Sequence, residues 1–148
     1  IIFGPGDYSA SQGIDSRGIE GRIEEYSGDI RYYARNTLAI AARVAGIDAI
    51  DGAFADFKDP DGYERECRHA KMFGFVGKWV IHPSQIAIAN RVFAPTEEEV
   101  AYARHLDAEY TKALANGQGA VAIDGKMIDM AIVRSFKNTL QKADLLGM

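Results

Sequence analysis

Ile1-Ile2-Phe3-Gly4-Pro5-Gly6-Asp7-Tyr8-Ser9 opens the chain and decides how the rest is read. An apolar run stops at a Gly-Pro-Gly turn that carries a carboxylate. A short apolar run closed by turn residues predicts a fully buried strand. An acid just past the C-terminal end of such a strand stands where α/β folds keep their chemistry. No initiator Met and no polar lead-in precede Ile1, so the chain is expected to begin inside a fold.

Outward from that turn, Ser9 to Ile23 is rich in Gly, Ser and Asp and predicts a long loop. Ile30, Tyr33, Ala34, Thr37, Leu38, Ala41, Ala42 and Ala45 recur at helical spacing, which predicts a helix from Gly28 to Ala45 with Gly46 as its stop. Ile47 to Gly52 reads as a second strand ending in Asp51. Asp59-Pro60 supplies an N-cap and a first-turn proline for a helix through Tyr63, Cys67 and Ala70 to Phe73, stopped at Gly74. Lys78-Trp79-Val80-Ile81 reads as a third strand ending at His82-Pro83, followed by a short helix from Ser84 to Phe93. Strands joined by crossover helices are parallel, and Asp7, Asp51 and His82 are expected on one rim.

The remainder has a different pattern. Thr96 and Glu99 form a capping box before a long helix ending near Gly117, and Glu97-Glu98-Glu99 suits the positive end of its dipole. Ala120 to Ile123 predicts a short strand, Asp124-Gly125 a tight turn, and Asp129 the N-cap of a last helix to about Ala143. A complete eight-stranded barrel takes about 250 residues, whereas this chain has 148. The element order suits the closing units of a barrel or the edge of a doubly wound sheet. The expected fold class is α/β, read as the C-terminal part of a (β/α)8 TIM barrel, about three strand–helix units over residues 1–94, plus a C-terminal helical arm or lid over residues 95–148.

Composition narrows the function classes. Hydrophobic residues make up 47% of the chain, so a packed core is expected rather than disorder. A net charge of −4 without a basic cluster argues against nucleic acid as a partner. No apolar stretch approaches the roughly 20 residues that span a bilayer, so no membrane association is expected. The single Cys67 cannot form an internal disulfide, which fits a cytoplasmic location.

Four stretches in register resemble one family: Phe3 to Ser9, Asp51 to Phe57, Gly77 to Ile86, and Asp124 to Asp129. They are similar to the citrate lyase β-subunit-like (HpcH/HpaI aldolase) family of acyl-CoA lyases, and within it to the malyl-CoA/β-methylmalyl-CoA lyases. The resemblance covers essentially the whole chain and corresponds to the C-terminal half of such proteins. One departure is Ala53, where similar lyases tend to carry Pro, a change expected to loosen the loop. The resemblance implies a barrel with a Mg2+ ion (Mn2+ as substitute) at its C-terminal rim, held by an upstream Glu and by Asp7. It also implies a CoA thioester substrate, an upstream substrate-orienting Arg, and a homo-oligomer in which the arm of one subunit completes a neighbour's site. The implied reaction is reversible cleavage of malyl-CoA or β-methylmalyl-CoA to glyoxylate and acetyl-CoA or propionyl-CoA. Near alternatives are a citramalyl-CoA or citryl-CoA lyase or a malyl-CoA thioesterase; from another class, the chain is a non-catalytic fragment.

Residue by residue, Asp7 read locally is a turn residue, and the resemblance makes it a metal ligand; Mg2+ prefers such hard oxygens. The amides of Gly6 and Asp7 are candidates for the glyoxylate carboxylate, because glycine permits close approach. Asp129 is expected to be the catalytic base and, by position, a helix cap. Asp124 competes with it but is explained by its turn. Ile81, His82 and Pro83 are candidate substrate-binding residues in a CoA pocket, with a structural hydrogen-bonding role as the plainer reading of His82. Asp51 is expected to orient its loop, Cys67 to be buried and inert, and His69 and His105 to be solvated.

Overall fold

The computed structural model describes residues 1–14 and 28–148. These form two compact units, Ile1–Phe93 and Ala94–Met148.

In the first unit the opening apolar run is extended, and its amide and carbonyl groups bridge to the next strand. Phe3 N donates to Ile50 O at 3.0 Å, and Ile50 N to Ile1 O at 2.8 Å. Strand β1 (Ile50–Asp51) pairs in parallel with β2 (Gly77–Lys78), placing Ile50 opposite Gly77 and Asp51 opposite Lys78. The parallel arrangement agrees with the sequence, but the strands are shorter than expected. Gly52 ends β1 against the opening run: an added Cβ there would lie 2.6 Å from Phe3 O and against the Pro5 ring. Beyond β2 the ladder continues among the described residues through Trp79 N to Asp51 O, 2.8 Å. The amide of Ile81 is taken instead by the Gln85 side chain at 3.0 Å, so the strand expected to reach Ile81 stops early.

Helix placement needs three corrections. Gly4-Pro5-Gly6-Asp7 is not a turn leading into a loop; it starts helix α1 (Pro5–Ser11), with Pro in its first turn and Asp7 at its positive end. Of the loop expected from Ser9 to Ile23, residues 9–11 are therefore helical, and residues 15–27 lie outside the described residues. The next helix, α2 (Tyr32–Ala45), begins at Tyr32 rather than Gly28. There the Asp29 side chain turns the chain by accepting the Arg31 amide at 2.9 Å. After α3 (Pro60–Met72), the expected helix from Ser84 splits into a 3₁₀ turn (Pro83–Gln85) and α4 (Ile86–Phe93). Asp59 caps α3 through Gly62 N at 2.8 Å, as its sequence foretells.

The core beneath these helices is built from small residues. Phe3, Ala39, Ala42, Ala49, Ala70 and Phe75 are buried together, so alanines let α2 and α3 lie close to the strands. Tyr63, Cys67, Ala89 and Val92 form a second cluster between α3 and α4.

The second unit follows its sequence closely. Helix α5 (Glu97–Ala115) carries the reciprocal capping box: Glu99 N donates to Thr96 Oγ1 at 3.1 Å and Thr96 N to Glu99 Oε2 at 2.8 Å. Strands β3 (Ala120–Ile123) and β4 (Lys126–Asp129) pair antiparallel. Their two-residue turn has φ of 50° at Asp124 and 73° at Gly125, the left-handed pair that suits a hairpin's twist. Helix α6 (Met130–Leu146) runs one turn past the expected Ala143, to a left-handed Gly147. Leu106, Tyr110, Ile123, Ile128 and Val133 form this unit's core.

Candidate active site

A cavity of about 530 Å³ opens where the extended run and the two parallel strands end. Its wall includes Gly6, Gly52, Phe54, Arg35, Asp51 and Lys78. Pro5 and Gly6 reach it from the turn, and Gly52 and Ala53 from the start of the 52–56 loop.

Asp51 and Lys78 share a face, as residues opposite one another in a parallel pair do, and meet Arg35 of α2 and Glu66 of α3 there. Asp51 accepts from Arg35 Nε at 3.2 Å, from Arg35 Nη2 at 2.9 Å, and from Lys78 Nζ at 2.6 Å. The free Nη1 of Arg35 donates to Asp29 at 2.6 Å, and Glu66 lies 3.6 Å from Lys78 and 3.8 Å from Arg35. The side chains of Arg35, Asp51 and Lys78 are at most 4% exposed. Burial pulls the Arg35 guanidinium down, but the neighbouring charges of Asp51, Glu66 and Asp29 outweigh it and hold the group above its ordinary value. Both buried cations are paired with carboxylates, so this network is a brace and not a free anion-binding cluster.

Asp7 stands in the first turn of α1, exposed, with its Oδ2 folded back to 3.3 Å from where a Cβ on Gly4 would stand. Glycine at position 4 leaves that space to the carboxylate. Among the described residues nothing hydrogen-bonds to the Asp7 side chain, and the Gly6 and Asp7 amides have no acceptor. An exposed, uncommitted carboxylate fits one ligand of a hard cation. It cannot hold the ion alone, and no group of three His, Cys, Asp or Glu able to do so occurs among the described residues.

Of the three residues expected on one rim, Asp51 lines the cavity together with Gly6, whereas Asp7 and His82 do not line it. His82 is exposed with Ile81 and Pro83. It caps the 3₁₀ turn through Ser84 N and stacks on Phe57, ring centroids 4.5 Å apart and 21° between planes. Gln85, buried behind it, donates to Phe54 O at 3.0 Å, so the loops after β1 and β2 are stapled together.

In the second unit Asp129 caps α6. Its Oδ1 accepts the amides of Ala131 and Ile132, both at 3.0 Å, while Oδ2 takes no hydrogen bond among the described residues. The carboxylate is half-buried. Asp124 sits in the hairpin turn 3.5 Å from His105 Nε2; His105 and His69 are exposed. Cys67 is buried, and burial pushes its thiol up, consistent with an inert side chain.

Sequence reasoning missed Arg35, Lys78, Glu66 and Gln85. A signal for two of them was present. Arg35 interrupts the alanine-rich stripe of α2, and Lys78 follows Gly77 at a strand start, so each places a charge where apolar residues belong. A charge on a buried face needs a partner, and Asp51 is the acid at hand.

Parallel strands with crossover helices and a cavity outside their carboxyl ends define the α/β proteins that bind ligands at the strand ends. The chain belongs to the HpcH/HpaI aldolase/citrate lyase family, which it matches over residues 1–83. It is 35% identical to an L-malyl-CoA/beta-methylmalyl-CoA lyase of Cereibacter sphaeroides across 99% of this chain and 49% of the relative. A mitochondrial citramalyl-CoA lyase of Rattus norvegicus is 37% identical across 97% of this chain and 40% of the relative. The chain thus spans about half the length of the curated relatives it matches. Among solved structures, the protein CitE from Mycobacterium tuberculosis, in complex with magnesium, acetoacetate and coenzyme A, superposes with a TM-score of 0.75. It is 30% identical and covers 97% of this chain and 51% of that one.

Proposed function

We propose that this chain is the C-terminal part of a Mg2+-dependent carbon–carbon lyase built on a (β/α)8 barrel. The enzyme cleaves malyl-CoA or β-methylmalyl-CoA, reversibly, to glyoxylate and acetyl-CoA or propionyl-CoA. One observation carries the reading: the likeness to the malyl-CoA lyase runs through 99% of the chain, the stretch after Phe93 as well as residues 1–93. The 37% identity to a citramalyl-CoA lyase supports a second reading in which the aldehyde acid is replaced by a keto acid.

When bound, Mg2+ would polarise the substrate's hydroxyl or carbonyl oxygen. Asp7 is the ligand this chain contributes, with the remaining protein oxygen coming from an upstream Glu. The Gly6 and Asp7 amides point a partial positive charge that suits the carboxylate of glyoxylate. Asp129, through its uncommitted Oδ2, takes the proton from the β-hydroxyl in cleavage, or from the acyl α-carbon in condensation. Ile81, His82 and Pro83 form part of the CoA pocket. Asp129 lies on an arm that completes the site of a neighbouring subunit, so the working enzyme is a homo-oligomer in the cytoplasm.

The test is incubation of the full-length protein with malyl-CoA and Mg2+. Glyoxylate and acetyl-CoA in equal amounts are expected; free CoA without glyoxylate would make it a thioesterase. Release of pyruvate from citramalyl-CoA at a higher kcat/KM would favour the second reading.

A further inference from the structure

The buried charge brace and the metal-side turn are in contact through a single glycine. Asp51 is fixed at its carboxylate by Arg35 and Lys78, and at its carbonyl by Trp79 N, 2.8 Å away. The next residue, Gly52, is wedged against the other side: Phe3 O and the Pro5 Cγ would lie 2.6 Å and 2.8 Å from a Cβ built there. Pro5 is the first residue of α1, and Asp7 follows two residues later in the same helical turn. Packed backbone of this kind has little room to give.

We propose that Lys78, with Arg35, is a positioning residue for Asp7, acting through Asp51 and Gly52 to hold the Gly4-Pro5-Gly6-Asp7 turn where its carboxylate meets the metal. The inference rests on the metal-ligand reading of Asp7 and goes beyond it, since Lys78 touches no ligand itself. Structure supports the direction of the effect. If Lys78 is truncated, Asp51 loses one of the two cations that fix its Oδ2, the Asp51–Gly52 peptide is less constrained, and the Pro5 ring loses its backstop. Groups that orient metal ligands from behind typically change metal affinity about 10–100-fold when removed.

The experiment is Mg2+ titration by calorimetry on the full-length protein, held well below its melting temperature. Lys78→Met is compared with Gly52→Ala, which leaves the charges intact and pushes directly on Phe3 O and Pro5. Ala89→Gly, in the separate core cluster between α3 and α4, serves as a control that lowers stability in a cluster holding no residue of the turn. About a tenfold or larger loss of Mg2+ affinity is expected in both Lys78→Met and Gly52→Ala, with none in Ala89→Gly. Unchanged affinity in a folded Lys78→Met or Gly52→Ala protein overturns the proposal, and so does an equal loss in Ala89→Gly. If Lys78→Met does not fold, Gly52→Ala alone decides. Asp7→Asn in the same titration separates the two layers. Should it bind Mg2+ normally, the ligand assignment fails; should it bind weakly while the other variants bind normally, only the positioning role fails.

Discussion

Replacing Asp129 by Asn separates the two tasks that this side chain combines. Its Oδ1 accepts both Ala131 N and Ile132 N at 3.0 Å, and the amide oxygen of Asn can do the same. Asn and Asp are near-equal N-caps, so Asp129→Asn should leave helix α6 and the β3–β4 hairpin in place, shifting stability by only a few tenths of a kcal/mol. Asp129→Ala removes both bonds and should lose about 1 kcal/mol, seen as a fall of about 2–4 °C in Tm for a protein of this size. Turnover behaves differently. A positioned general base contributes about 10²–10⁴-fold, and neither Asn nor Ala can take up a proton at Oδ2. Both variants should therefore lose activity to a similar extent, while only Ala loses stability. Thermal melts read the cap, and glyoxylate release from malyl-CoA by the full-length enzyme reads the base. An Asp129→Asn protein that keeps more than about a tenth of wild-type turnover would refute the base assignment against the expected range. One that melts with the Ala variant would refute the cap argument.

Further expectations follow from other sites. Asp7→Asn should weaken Mg2+ binding by calorimetry while lowering the metal-free melting temperature by no more than about 2–4 °C, since its charge at the positive end of α1 is worth at most about 1 kcal/mol. Thr96→Ala removes the Oγ1 that accepts from Glu99 N, leaving only the backbone arm of the capping box on α5, and should lose about 1 kcal/mol in urea melts, with Thr96→Ser close to wild type. Burial raises the Cys67 thiol and the Tyr63 hydroxyl above their ordinary values. For a raised acid the folded state keeps protons that the unfolded state gives up. The contribution is therefore full below the unfolded Cys value of about 8.5 and is lost as pH climbs from there through the folded value. Urea melts between pH 7 and 10 should show this decline, and Cys67→Ala should flatten it below about pH 10, where Tyr63 has not begun to contribute. Identical slopes in the two proteins would contradict the assignment.

The sequence by itself determined the elements whose causes are local. The capping box at Thr96, the Asp59-Pro60 start of α3, the Asp124-Gly125 hairpin and the Asp129 cap are all satisfied by neighbours within a few residues, so each is legible as a short motif. The parallel sense of the strands was legible too, because crossover helices leave no other option. Family membership followed from motifs in register. Where the strands end was decided by tertiary structure, since Ile81 N is taken by the Gln85 side chain, which is itself held by Phe54 O thirty-one residues away. The opening turn became a helix because Pro5 and Asp7 suit its first turn better than a loop. The partners of Asp51 come from Arg35, sixteen residues before it, and Lys78, twenty-seven after it. No local pattern records such a meeting. A buried charge is recognisable in sequence as a misfit on an apolar face, but the partner that neutralises it is chosen by packing.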